Sequence, residues 1–211
     1  MFIPLVDVLR CVKPHDDTWL VASIERADER DIMTGMLGCP ICFAEYPIRE
    51  GVVIFSESAP KPAFRAPVEA DAIRLAAALD LTDPRMTVVL HGAWGAHAPL
   101  LRGFSPVQLL LVNPPAGMTS GDGVSIVRAE HAPLAHGSVN AVAVDADASS
   151  IMIESLRASL RAGGRMLGPV SVAVPAGLTE LARDDEVWVA ELPAGEATSR
   201  PIGLSRRAAE P

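Results

Sequence analysis

Cysteine is scarce in this chain of 211 residues: there are three, all within the first 42. The remainder carries none, which excludes a distributed disulfide framework. Basic side chains are also in deficit, 18 Lys and Arg against 26 Asp and Glu, for a formal charge of −8. A protein that grips nucleic acid unaided needs the opposite balance, because that affinity comes mainly from basic residues facing phosphates. Long apolar runs are missing too. The longest candidate, Val88 to Asn113, is broken by Gly92, Gly95, Pro99, Arg102 and Pro106, short of the ~20 uninterrupted residues that cross a bilayer. The apolar start from Met1 to Arg10 has no basic n-region and is interrupted by Asp7 and Arg10, so it does not read as a signal peptide. These absences lead us to expect a soluble cytoplasmic protein, in a compartment where cysteines more often bind metal or carry redox chemistry than form staples. Aromatics make up only 4% of the chain, yet 49% is hydrophobic and mean hydropathy is positive. That excludes a disordered chain. A chain of this length buries roughly 70% of its unfolded surface, enough for one core, or one core and a small module.

Three prolines within eight residues, Pro60, Pro62 and Pro67, mark a linker and divide the chain into residues 1–58, a linker over 59–68, and residues 69–211. The first segment holds every cysteine and carries 5 basic against 10 acidic residues; the rest carries 13 against 16. Phe2 to Arg10 reads as a short helix or a strand entering a turn, and Thr18 to Ile24 has β character. Arg26 to Ile32 is charged and turn-like. Tyr46 to Phe55 reads as two short strands around a Glu50-Gly51 turn.

The second segment alternates helical and strand patterns. Helical spacing covers Glu69 to Leu79, and Pro99 to Gly103 suggests a short helix. Strands are expected at Met86–Leu90, Val107–Val112, Val124–Arg128, Val139–Val144, Arg165–Val174 and Glu186–Leu192. Ser149 to Leu160 is a helix stopped by Gly163-Gly164, and Ser205 to Pro211 reads as a frayed tail. Continuous apolar strands separated by helices signify a parallel sheet covered on both faces.

Cys39-Pro-Ile-Cys42 is a C-x2-C turn able to aim two thiolates at one tetrahedral metal. Cys11 and His15 are the nearby thiol and imidazole that complete a Cys3His zinc set. The alternative leaves Cys11 as an apolar residue, His15 at the surface, and the Cys39/Cys42 pair metal-free or redox-active. A redox dithiol fits less well, since the motif does not open a βαβ unit.

Leu9-Arg10-Cys11, Gly38-Cys39-Pro-Ile-Cys42 and Tyr46-Pro-Ile-Arg-Glu-Gly-Val-Val-Ile-Phe55 together resemble the small zinc-ribbon activator subunit of RNA and protein methyltransferases. The likeness covers about the first quarter of the chain, and Cys11-Val-Lys-Pro-His15 departs from the family's first knuckle. Residues 69–192 resemble class I S-adenosylmethionine methyltransferases in element order and local phrases. Thr87-Val-Val-Leu-His-Gly-Ala-Trp-Gly-Ala96 stands where the first motif does. Ser125 to Leu134 resembles the stretch whose acid, here Glu130, contacts adenine. Ser138-Val-Asn-Ala-Val and Leu160-Arg-Ala-Gly-Gly-Arg-Met-Leu167 match segments near the fourth and fifth strands.

The resemblance implies an α/β protein, a Rossmann-like methyltransferase sheet with a small N-terminal zinc-ribbon-like β module. It also implies a cofactor pocket at Gly92, Gly95, Asn113 and Glu130. The departures are specific: Trp94 stands among the glycines, and Asn113 replaces the acid that would hold the ribose hydroxyls without its charge. They favour a degenerate pocket in a non-catalytic interaction or regulatory protein, a pseudoenzyme. The alternative is an active methyltransferase carrying its activator in cis, and a metallo-redox protein is a third class. No residue is assigned a catalytic role. His91, His97, His131 and His136 read as surface or locally bonded residues, since no nucleophile elbow accompanies them. Asp145 and Asp147 read either as strand-end functional groups or as a cap before Ser149. The acidic first segment fits a protein partner better than RNA, no membrane contact is expected, and a homo-oligomer is left open.

Overall fold

The computed structural model describes residues 1–194, so the expected tail at Ser205–Pro211 lies outside the described residues. After a 3-10 turn at Ile3–Val8, two antiparallel hairpins form from β1 (Val21–Asp28), β2 (Asp31–Gly38), β3 (Glu45–Arg49) and β4 (Val52–Ile54). Residues 59–68 lack regular structure and lead into α1 (Glu69–Ala78). Then come β5 (Thr87–His91), a 3-10 turn over Gly92–His97, α2 (Ala98–Phe104), β6 (Gln108–Val112), β7 (Val124–Arg128) and β8 (Val139–Ala143). The chain closes with α3 (Ser150–Ser159), β9 (Leu160–Pro169), β10 (Thr179–Arg183) and β11 (Val187–Glu191).

All eleven strands form one sheet in the order β1-β2-β3-β4-β7-β6-β5-β8-β9-β11-β10. The centre, from β4 through β9, is parallel, and β11 and β10 return antiparallel at the edge. The order reverses at β5: the chain moves one way through β6 and β7, then crosses back to β8 and β9. Ligands of open α/β sheets bind at such a switch point, beyond the carboxyl ends of the strands.

The local reasons are ordinary. The central strands are runs of Val, Leu, Ile and Ala buried on both faces, as parallel strands require. The α3 helix starts where Ser149 Oγ accepts the Met152 N–H at 3.1 Å, and it buries Met152 and Leu156. One face of the sheet packs against α1 and α2 through Leu75, Leu90, Leu109 and Ala143. The other packs against α3 and the N-terminal residues Met1, Leu5, Val6 and Leu9.

Three expectations are corrected and one unforeseen strand is added. The charged stretch at Arg26–Ile32 turns only at Glu29–Arg30: β1 continues to Asp28 through a bulge at Ile24–Ala27, and β2 begins at Asp31. The bulge scrambles the side-chain alternation that would have revealed the pair. Gly163 and Gly164 do not stop α3, which ends at Ser159; they lie in a bulge of β9 between the Val139–Leu160 and Ala141–Arg165 pairs. A further strand, β10, ends at Arg183 before the turn at Asp184–Asp185; its five residues are all exposed and give no apolar pattern. The connections after β6 and β7 hold no helix.

Trp188 in β11 is fully buried and donates its indole N–H to Val172 O at 2.7 Å, fastening the helix-free segment after β9 to the sheet. Trp188→Ala is expected to destabilise the fold by about 3–5 kcal/mol, measured as a fall in the urea midpoint with an unchanged slope.

Candidate functional site

Two constellations emerge, one in the hairpins and one at the switch point. In the first, the turn between β2 and β3 is closed by the Phe43 N–H donating to Cys39 O at 3.0 Å and the Cys39 N–H donating to Ala44 O at 2.9 Å. This presents Cys39 and Cys42 on one side. Facing them, Cys11 follows the N-terminal turn and His15 the loop after it. The four ligand atoms all lie within 4.8 Å of one another. Cys11 Sγ is 3.6 Å from Cys42 Sγ, and Cys39 Sγ is 3.3 Å from His15 Nε2. A tetrahedral zinc with bonds near 2.3 Å to sulfur and 2.0–2.1 Å to nitrogen has edges of about 3.8 and 3.6 Å. The four residues therefore lie close enough to hold a metal such as zinc.

The groups around them suit that role. His15 Nδ1 lies 2.7 Å from Asp16 O, which fixes the proton on Nδ1 and leaves the Nε2 lone pair toward Cys39. The same backbone carbonyl, ahead of the neighbouring thiols, raises the His15 pKa. Burial works to raise the Cys39 thiol, but the N–H groups of Cys42 and Ile41 outweigh it and the net direction is down. The Tyr46 hydroxyl, 3.0 Å from Cys11 Sγ, ties that ligand to β3. In the sequence Tyr46 carries the ribbon resemblance but no part in the metal set; the Tyr46-Pro-Ile phrase is the signal that could have marked it.

At the switch point the predicted cofactor residues are brought near one another only in part. Gly92 follows β5 with a left-handed φ of +62°. A Cβ placed there would sit 1.7 Å from Asp145 Oδ2, so the space above the turn holds the carboxylate that follows β8. That oxygen accepts the Ala93 N–H at 2.8 Å. Asp145 Oδ1 is 3.1 Å from His91 Nδ1, within ion-pair distance but without hydrogen-bond alignment, and neither atom has another partner among the described residues. His91 is only 5% exposed, so it is not a surface histidine. Burial works to raise the Asp145 carboxyl; His91 and the Ala93 N–H outweigh it and hold it below the usual carboxylate range. Trp94 donates its indole N–H to Val144 O at 3.1 Å, which fixes the ring over the same strand end. Asp147 has no side-chain partner of this kind, and Ser149 alone caps α3.

The other three residues are committed elsewhere. A Cβ at Gly95 would lie 2.7 Å from Pro114 Cβ, so this glycine permits close packing of the turn on the loop after β6. Asn113, 1% exposed, donates from Nδ2 to Ala129 O at 2.7 Å and accepts the Ala129 N–H on Oδ1 at 2.9 Å. It clips the end of β6 to the end of β7. Glu130 is at the surface and accepts from Ser58 and Ser56 hydroxyls at 2.7 and 2.9 Å; those two bonds, Ser58 first, hold its carboxyl below its ordinary value.

A cavity of about 320 Å³ remains beyond the ends of β5, β8 and β9, lined by Arg65, Asp71, Ala93, Trp94, His97 and Asp145. That is the lower end of the range for small-molecule sites, about 300–1,000 Å³. A larger cleft of about 570 Å³ lies beside α1, over Leu167, Val187 and Val189, away from Asn113 and Glu130. Among the described residues no helix is long and apolar enough to cross a membrane.

No protein-family profile matches the sequence, and no curated protein matches it significantly. Part of the fold is similar to solved methyltransferase structures. The MycE methyltransferase of the mycinamycin biosynthetic pathway, in complex with Mg and SAH, is 11% identical over 67% of this chain and 53% of its own, with a TM-score of 0.47. Geranyl diphosphate methyltransferase in complex with SAM is 19% identical over 47% of this chain and 48% of its own, TM-score 0.39. A sarcosine dimethylglycine methyltransferase from Galdieria sulphuraria is 16% identical over 47% and 45%, TM-score 0.39. The chain thus spans about half the length of each. The likeness is one of fold.

Asp145→Ala leaves the Ala93 N–H and His91 facing a void and is expected to cost about 1–3 kcal/mol. Because the folded state holds the Asp145 carboxyl low, its contribution is complete above the unfolded-state pKa of about 4 and fades as pH falls through the lower folded value. Urea midpoints from pH 7 to 3 are expected to fall less for Asp145→Ala than for the parent chain.

Proposed function

We propose that this is a methyltransferase-like protein with a degenerate cofactor pocket and a zinc-bearing ribbon, acting through protein contacts rather than by methyl transfer. The observation that carries the reading is the Asp145 carboxylate seated against Gly92 and the Ala93 N–H. In methyltransferases, the resemblance implies, this turn lets backbone approach the cofactor. Here a side chain of the same protein fills it, and a second carboxylate brought there would meet like charge. The internal commitments of Asn113 and Glu130 support the same reading, since each would have to break existing bonds before taking up a ribose or an adenine. The charge excess of the first segment supports a protein partner over RNA.

The 320 Å³ cavity beside Trp94 and Asp145 favours the second reading, an active S-adenosylmethionine-dependent enzyme with its activator fused in cis. Calorimetry separates the two. Titration of the folded chain with S-adenosylmethionine and S-adenosylhomocysteine is expected to give no heat of binding, and micromolar affinity for either would overturn the degenerate-pocket reading.

For the ribbon, zinc when bound supplies a structural cross-link, and Cys11, His15, Cys39 and Cys42 would hold it. Elemental analysis of protein purified without a histidine tag is expected to find one zinc per chain in the parent. Cys39→Ser is expected to lose it, and a metal-free parent would sink the zinc assignment.

A further inference from the structure

The metal set is wired to the parallel core by a very short path. Residues 8–10 run antiparallel to residues 133–135: the Ala135 N–H donates to Val8 O and the Arg10 N–H to Pro133 O, both at 2.8 Å. Leu9, between them, is fully buried. The ligand Cys11 immediately follows Arg10. On the far side, the Ala132 N–H donates to Ser155 Oγ at 2.8 Å, and that hydroxyl donates to Met152 O at 2.9 Å within α3. A metal ligand is thus one residue from the segment that follows β7, and that segment is one hydrogen bond from α3.

The ligand side of this path is tied by scattered single contacts. From Lys13 to Asp17 the chain is mostly exposed and has no strand or helix. Its ties are the contacts of Cys11 Sγ and the Val12 N–H with the Tyr46 hydroxyl, the Arg10–Asp17 ion pair at 3.3 Å, the pairing and ring contact of Arg10 with Trp19, and the ligand contacts of Cys11 and His15. An ion pair whose carboxylate is more than half exposed contributes little. A metal joining residues 11 and 15 to residues 39 and 42 closes the loop and removes much of its freedom beside the two-bond bridge at residues 8–10.

We propose that metal binding at Cys11, His15, Cys39 and Cys42 is a latch that holds Val8–Arg10 onto Pro133–Ala135, so that metal occupancy sets the order of the segment after β7. The proposal rests on the zinc reading above and adds a consequence for the core. Linkage makes it reciprocal: the factor by which bound metal strengthens the 8–10 to 133–135 pairing is the factor by which that pairing strengthens metal binding.

Hydrogen exchange on the full chain, zinc-loaded and after chelation, tests it, with zinc content measured on the same samples. Loss of zinc is expected to speed exchange at residues 8–12 and 40–46 and also at Ala132, Leu134 and Ala135, leaving β5, β6 and β8 protected. Exchange at 132–135 that stays unchanged while zinc leaves overturns the latch and spares the zinc site. A uniform loss across every strand overturns it as well, since the metal would then be a general requirement of the fold. A loaded sample that holds no zinc removes both readings together.

A second pair of variants leaves the ligands intact. Arg10→Pro deletes the N–H donated to Pro133 O, while Arg10→Ala keeps it and removes only the side chain. Competition against a chromophoric chelator is expected to show zinc bound about fivefold more weakly by the proline variant than by the alanine one. Equal affinities would sink the proposal.

Discussion

Val52, Val53 and Ile54 of β4 lie parallel to Ile126, Val127 and Arg128 of β7, and through this three-residue register the hairpins join the core. Without β4, β7 would be a free edge of a parallel sheet, with apolar residues on both faces and a row of unpaired backbone groups. Parallel sheets are stable only when covered, and exposed edges invite pairing with other chains. The hairpins supply the missing strand, and Tyr46, Ile48 and Val53 carry their burial into the same packed cluster as Leu110, Val112 and Val127.

The same cluster explains how a doubly wound sheet survives with so few helices. No helix follows β7, so the crossover to β8 leaves its face of the sheet without the usual cover. Met1, Leu5, Val6 and Leu9 pack there instead, with Ala132 and Leu134 from the segment after β7. A six-residue 3-10 turn from the start of the chain does the work of a crossover helix. It is held by backbone bonds to Arg30 and Ile32 at one end and to residues 133–135 at the other rather than by intrinsic helicity, for which it is too short.

Much of this was legible in sequence, and the failures have physical causes. The β5, β6, β7 and β8 strands announce themselves as continuous apolar runs bounded by Gly, Pro or Asn, and Ser149 marks the start of α3. The Cys11, His15, Cys39 and Cys42 set follows from residue type and spacing, because metal ligands are defined by chemistry that few side chains possess. The strand β10 is invisible because it buries nothing, and β1 with β2 is obscured by a bulge and by Gly35. Asp145 was legible only as one of two alternatives. Its role depends on β8 lying beside β5, a pairing between residues more than fifty positions apart that no local pattern encodes.

That pairing also sets the character of the switch point. A glycine with a left-handed backbone is usually read as room for a ligand, since a side chain would obstruct it. At Gly92 the room is taken by a carboxylate of the same chain, which pairs with His91 and satisfies the Ala93 N–H that a ligand would otherwise meet. The positive φ and the close approach are therefore fully explained by an internal contact. Removing that carboxylate would leave the Ala93 N–H without its acceptor and His91 without its neighbouring charge, so packing alone gives a reason for Asp145 independently of any bound molecule. Once a motif's residues are individually required by packing, their presence stops being evidence of the motif's chemistry. For Gly92, Gly95 and Asn113, geometry gives each a structural reason to be what it is.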